Sequence, residues 1–153
     1  YIARRLVRFA VEDVGLADPG ALPQSIAAWE AYERLGSPEG ELAIAQCVIY
    51  LAAAPKSNAA YKALSAAMKS ARADGSLMPP KHILNAPTNL MKDLGCGDGY
   101  EYDHNAEDGF SGQDYFPDDM GQQKFYRPVE RGFEREIIKR LEYWTKLRKT
   151  KGG

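Results

Sequence analysis

Apolar residues in the first half of the chain recur at helical spacing. Over residues 2 to 14, Ile2, Leu6, Phe9 and Ala10 share one side of a 3.6-residue turn while Arg4, Arg5 and Arg8 fall elsewhere, which predicts an amphipathic helix ending near Gly15. Asp18 and Pro19 form a cap and first-position pair, and Ile26, Ala28, Trp29, Tyr32 and Leu35 carry a second helix to Gly36, with Pro23 in its first turns. Ser37, Pro38 and Glu39 restart a helix at once, with early carboxylates suited to the helix dipole. The body of that third helix, LAIAQCVIYLAAA (residues 42–54), is apolar nearly all the way round, so its Leu42 to Leu51 stretch is predicted to form the core of a bundle or to lie under a partner. Pro55 stops it. Ser57 caps a fourth helix through about Ala73, with Tyr61, Leu64, Ala67, Met68 and Ala71 as its stripe and Asp74-Gly75 as its terminator. Four consecutive helices joined by short turns predict antiparallel neighbours.

The second half is less regular. MPPKHILNAP (78–87) carries three prolines, after which Thr88 caps a short helix, Asn89 to Leu94, closed by Gly95. Residues 95 to 129 show little periodicity and read as a long ordered excursion, in which YEYD (100–103) and KFYR (124–127) alternate as a small strand pair would. From Glu130 the pattern is clean again: Phe133, Ile137, Leu141, Trp144 and Leu147 mark a final amphipathic helix, supported by Glu136–Arg140 and Glu142–Lys146 pairs. The fold class expected is therefore all-α, a helical bundle with one irregular excursion, occupying residues 1–153 as a single domain.

Composition fits that picture: 153 residues suffice for one domain, and 44% hydrophobic with 27% charged residues is ordinary for a globular chain. No apolar run approaches the roughly 18 residues of a membrane span, and acidic residues stand where a signal peptide would have its cleavage site, so a cytoplasmic protein with no membrane partner is expected. The net charge of −1 hides an asymmetry. Residues 93 to 119 contain nine Asp or Glu and no Lys or Arg, whereas residues 120 to 153 contain ten basic residues against four acidic. Blocks of opposite sign can face each other within or between subunits.

Several stretches raise chemistry that their context does not support. Asp93-Leu94-Gly95-Cys96-Gly97-Asp98-Gly99 resembles the cofactor loop of S-adenosylmethionine-dependent methyltransferases, but such a loop must come after a buried strand and open into a helix. Here helix-patterned polar residues precede it and an acidic loop comes after it, so a helix C-cap is the better reading. Asp103 to Asp114 places oxygen ligands as a calcium loop would, with its glycine one position late and no paired flanking helices. Lys56 and Ser57 stand at a helix start that could hold a phosphate, yet no G-x-x-x-x-G-K-[ST] loop occurs in the chain, so Ser57 or Asn58 reads as a cap of the fourth helix. His82 and His104 are isolated from any nucleophile pattern, and Cys47 and Cys96 have no zinc spacing. No catalytic, cofactor-binding or metal-binding residue is expected.

RRLVRFAVEDVGLADP (Arg4 to Pro19), LGSPEGELAIAQCVIYLAAAPKSNAAY (Leu35 to Tyr61), NAPTNLMKDLG (Asn85 to Gly95), YEYDH (Tyr100 to His104) and YRPVERGFE (Tyr126 to Glu134) together resemble, in this order, the C-terminal region of the replication-associated recombination protein A family. These are AAA+ ATPases related to clamp loaders and to the Werner helicase-interacting protein. The resemblance implies an all-helical domain similar to the clamp-loader collar, which joins ATPase subunits into a homotetramer. It also implies that the P-loop, the Walker B carboxylates and the lid, and with them ATP and magnesium, belong to a parent protein of which this chain is a non-enzymatic fragment. DNA and replication-fork or repair proteins would be partners through that parent. The expected subunit contacts are Phe133, Ile137, Leu141, Trp144 and Leu147 on the last helix and Tyr115 and Phe116 in the excursion. A competing reading makes the chain a DNA-contacting module that uses Arg4, Arg5, Arg8, Lys146, Arg148 and Lys149 against phosphates.

Overall fold

The computed structural model describes residues 1–151 and is all-helical, with no strand among those residues. The α-helices are α1 (Ile2–Phe9), α2 (Ala21–Leu35), α3 (Glu39–Ala53), α4 (Ala59–Asp74), α5 (Asn89–Asp93) and α6 (Glu134–Thr150). The chain forms two compact units, one of Tyr1–Ala67 and Phe125–Arg140, the other of Met68–Lys124 and the chain from Leu141.

In the first unit α2 and α3 pack along each other and α1 lies against both. The core is Ala10, Val14, Ala21, Ala28, Cys47 and Leu51, with Leu6, Phe9, Ile44 and Tyr50 packed around it. Gly40 lets α3 approach α2 closely, since a Cβ there would stand 2.8 Å from the Tyr32 Cα. The first predicted helix does reach Val14, but its last turn, Ala10–Val14, is wound as a π-turn and is succeeded by a 3-10 turn, Gly15–Ala17. Such insertions re-aim the backbone at a junction. Asp18 stands ahead of α2 instead of capping it directly. One of its carboxylate oxygens accepts from the Gly20 N–H at 3.0 Å, and the other accepts from the Tyr50 hydroxyl of α3 at 2.7 Å.

Two expectations about packing change. Of the Leu42 to Leu51 stretch, only one side enters the core: Cys47 and Leu51 are buried, while Leu42 and Ile49 are 75% and 70% exposed. The reason is that α1 and α2 cover α3 from one side only. Likewise α4 does not join α1, α2 and α3 as a fourth close-packed neighbour, and its stripe residues Tyr61, Leu64 and Met68 remain exposed. The predicted ends of α4 hold, with the Ser57 hydroxyl accepting from the Ala59 N–H at 3.2 Å.

In the second unit Thr88 caps α5 by accepting from the Met91 N–H, and Gly95, at φ +77°, closes it. The glycine turn is therefore a helix ending. No strand forms at 100–103 or 124–127. Around Tyr100–Asp103 the backbone is satisfied by a side chain: Gln113 accepts from the Glu101 N–H at 3.0 Å and donates to the Gly99 carbonyl at 2.6 Å. The last helix starts at Glu134, four residues later than the pattern suggested. Its ion pair is Glu136 with Lys139 at 2.8 Å, while Arg140 lies over the Phe133 ring; no Glu142–Lys146 ion pair closes among the described residues.

Candidate functional site

A buried polar junction organises the first unit. Glu134, the first residue of α6, is fully buried. Its carboxylate accepts from the Ser57 hydroxyl at 2.8 Å, the Tyr126 hydroxyl at 2.7 Å and the Val129 N–H at 2.9 Å. No cation pairs with it among the described residues. Three donors and the positive end of α6 take the place of a counter-ion. Ser57 is held in turn by its own N–H, which donates to the Asp13 carbonyl at 2.8 Å, and the Phe133 N–H donates to the Ala17 carbonyl at 2.8 Å. Three stretches far apart in sequence, 13–17, 55–59 and 126–134, thus meet at one carboxylate.

Burial, and then the bond to Glu134, push the Tyr126 hydroxyl far above its ordinary value. A folded value above the unfolded one means that the stability contributed by the protonated phenol is fully present below pH about 10 and drains away as pH rises beyond it. We expect the urea midpoint to fall above pH about 10, and Tyr126→Phe to lower the midpoint at neutral pH while flattening that alkaline decline. An unchanged alkaline slope in the variant would show that other tyrosines set it.

The lysine beside this junction is occupied. Lys56 donates to the Leu51 carbonyl at 2.8 Å and to the Ala52 and Ala54 carbonyls, closing the C-terminal end of α3, and it sits 5.6 Å from the centre of the Phe9 ring. In the Asp103 to Asp114 loop, Asp103 accepts from both the Ser111 hydroxyl and the Ser111 N–H, which hold its carboxyl below the usual range. It braces its own loop.

The expected contact residues of α6 divide between the two units. Phe133 and Ile137 belong to the first, partly exposed. In the second, Trp144 is 38% exposed and packs its ring against Phe110 at 5.0 Å, so part of its surface serves the unit's own packing. Leu141 and Tyr115 are exposed, and Leu147 and Phe116 are half-buried. Of the basic residues, Arg8 is bound to Glu12 at 2.6 Å and Arg148 lies over the Phe110 ring. Arg4, Arg5, Lys146 and Lys149 are exposed. The outward side of α3, with Leu42, Ala45, Val48, Ile49 and Ala52, is a further apolar surface, on a helix whose all-round apolar pattern allowed either a core position or one under a partner. No group of residues suited to a metal ion, and no helix long and apolar enough to cross a membrane, occurs among the described residues.

The described residues form helices alone and present apolar helix faces, the architecture of an all-helical domain. Comparison with known proteins gives the family. The family model described as the C-terminal region of the MgsA AAA+ ATPase matches residues 1–145, and the chain belongs to that family. It is 53% identical over 148 residues to the replication-associated recombination protein A of Coxiella burnetii, covering 96% of this chain and 34% of that protein. It is 46% identical over 144 residues to the protein of the same name in Escherichia coli K12, covering 94% and 32%. The ATPase WRNIP1 of Dictyostelium discoideum matches at 42% identity over 127 residues, covering 82% and 14%. The chain therefore spans about a third of the length of the curated bacterial relatives it matches.

Proposed function

We propose that this chain is the self-assembly domain of a AAA+ ATPase that acts in DNA replication, recombination and repair at stalled forks. In this reading it joins four ATPase subunits and catalyses nothing itself. ATP and magnesium are handled by the parts of the parent protein that it does not contain, and DNA and fork proteins are met through that parent in the cytoplasm.

The observation that carries the reading is the mismatch between what the chain buries and what it displays. Among the described residues, five of the eight buried apolar side chains are alanines. Large ones such as Leu35, Leu42, Ile49 and Leu64 point outward. A domain normally buries its largest apolar side chains first, and contiguous displays of them mark contact surfaces. The alternative, DNA contact through the basic residues, has less support, because Glu12 holds Arg8, Phe110 covers Arg148 and residues 93 to 119 carry acidic charge alone.

Light scattering behind size exclusion, over a wide concentration range and at two salt concentrations, tests the reading. The expected result is a stable mass near four 16.9-kDa chains. A monomer at every concentration would sink it for this chain.

A further inference from the structure

An apolar groove of about 560 Å³ runs between α1 and the start of α4, lined by Val7, Val11, Ala60, Tyr61 and Leu64 and edged by Arg4, Arg8 and Glu12. It takes in Tyr61 and Leu64 of the α4 stripe, with Leu64 63% exposed. Of the charged side chains at its edge, Arg8 is paired with Glu12, whereas Arg4 has no ion pair among the described residues, which leaves the edge one unmet positive charge. Such a groove selects an occupant that is apolar where it touches the floor and acidic at its edges.

The chain itself carries a segment of that chemistry. Asp98-Gly99-Tyr100-Glu101-Tyr102-Asp103 lies in the stretch that holds nine carboxylates and no basic residue. Tyr100 and Tyr102 are 52% and 53% exposed, and neither Asp98 nor Glu101 has an ion pair among the described residues. In an extended segment, residues two apart stand about 6.6 Å from each other on one side, close to the roughly 6 Å between helical positions four apart, such as Val7 and Val11.

Resting on the self-assembly reading, we infer that assembly is head-to-tail: the α1–α4 groove of one copy receives the Asp98 to Asp103 segment of a second copy of this chain. The two tyrosines cover the groove floor, while Asp98, ahead of them in the segment, meets Arg4 at the groove's edge. Because groove and segment are different surfaces, each copy offers one of each, so the contact repeats from copy to copy and forms a ring where the rotation between copies closes.

Complementation between two defective chains tests this. Leu64→Glu spoils the groove, and Tyr100→Ser with Tyr102→Ser spoils the segment; all three side chains are more than half exposed, and circular dichroism checks that each variant stays helical. Each variant alone is expected to run as a monomer, and an equimolar mixture as a two-chain species, since one intact groove then meets one intact segment. Arg4→Glu, at an exposed and unpaired position, is expected to weaken assembly of the otherwise unaltered chain about tenfold at low salt. If the wild-type chain assembles and the variants keep its mass, or their mixture stays monomeric, the head-to-tail inference is overturned while the self-assembly reading stands. A wild-type chain that is monomeric throughout overturns both.

Discussion

Replacing Gly132 with alanine is expected to cost about 4 kcal/mol of stability, enough to lower the melting temperature of the chain by on the order of 10 °C. Two independent features converge on this residue. Its backbone is at φ +53°, a region that alanine adopts only with strain. A Cβ there would also overlap the Ala17 carbonyl oxygen and stand 2.7 Å from Pro55 Cγ. The chain cannot simply back away. The next residue, Phe133, donates its N–H to that same carbonyl at 2.8 Å, and retreat would break the bond that seats the start of α6. Differential scanning calorimetry checks the expectation, and a change under about 3 °C would mean that the turn at Arg131–Phe133 is looser than its geometry implies.

The second large effect is expected at Glu134. Alanine there leaves three donors, the Ser57 and Tyr126 hydroxyls and the Val129 N–H, without their acceptor. An unmet buried donor costs about 1–3 kcal/mol, and because the three share one carboxylate their losses overlap; we expect about 3–5 kcal/mol in total. Glu134→Gln should be milder, about 1–2 kcal/mol, because its single carbonyl oxygen can still accept from both Ser57 and Val129 while the Tyr126 hydroxyl turns to accept from the amide. Urea denaturation of the three proteins decides: a glutamine variant as damaged as the alanine one would show that the charge, rather than the count of acceptors, holds the junction.

Both predictions concern motif residues whose partners the chain order conceals. In the sequence Glu134 is one of four acidic residues among ten basic ones in residues 120 to 153, and nothing local marks it for burial. Its burial arises because Ser57, 77 residues earlier, and Tyr126 supply donors that no local rule pairs with it. The same limit explains the missing strand pair. Alternation at 100–103 is a real signal, but the Gln113 side chain takes the hydrogen bonds that a ladder would need.

Helix periods, caps and stops are local, and these the sequence determined by itself: six helices placed to within a few residues, the Ser57 and Thr88 caps, and the Gly95 ending of the methyltransferase-like loop. The all-helical class and the family were legible in the same stretches. Which apolar faces are covered depends on how many helices arrive on each side, and only the tertiary structure decided that. It turned Leu42 and Ile49 outward from an all-apolar α3, left the α4 stripe open beside α1, and buried a carboxylate where three distant segments cross, because burial is a property of neighbours in space rather than of the residue itself.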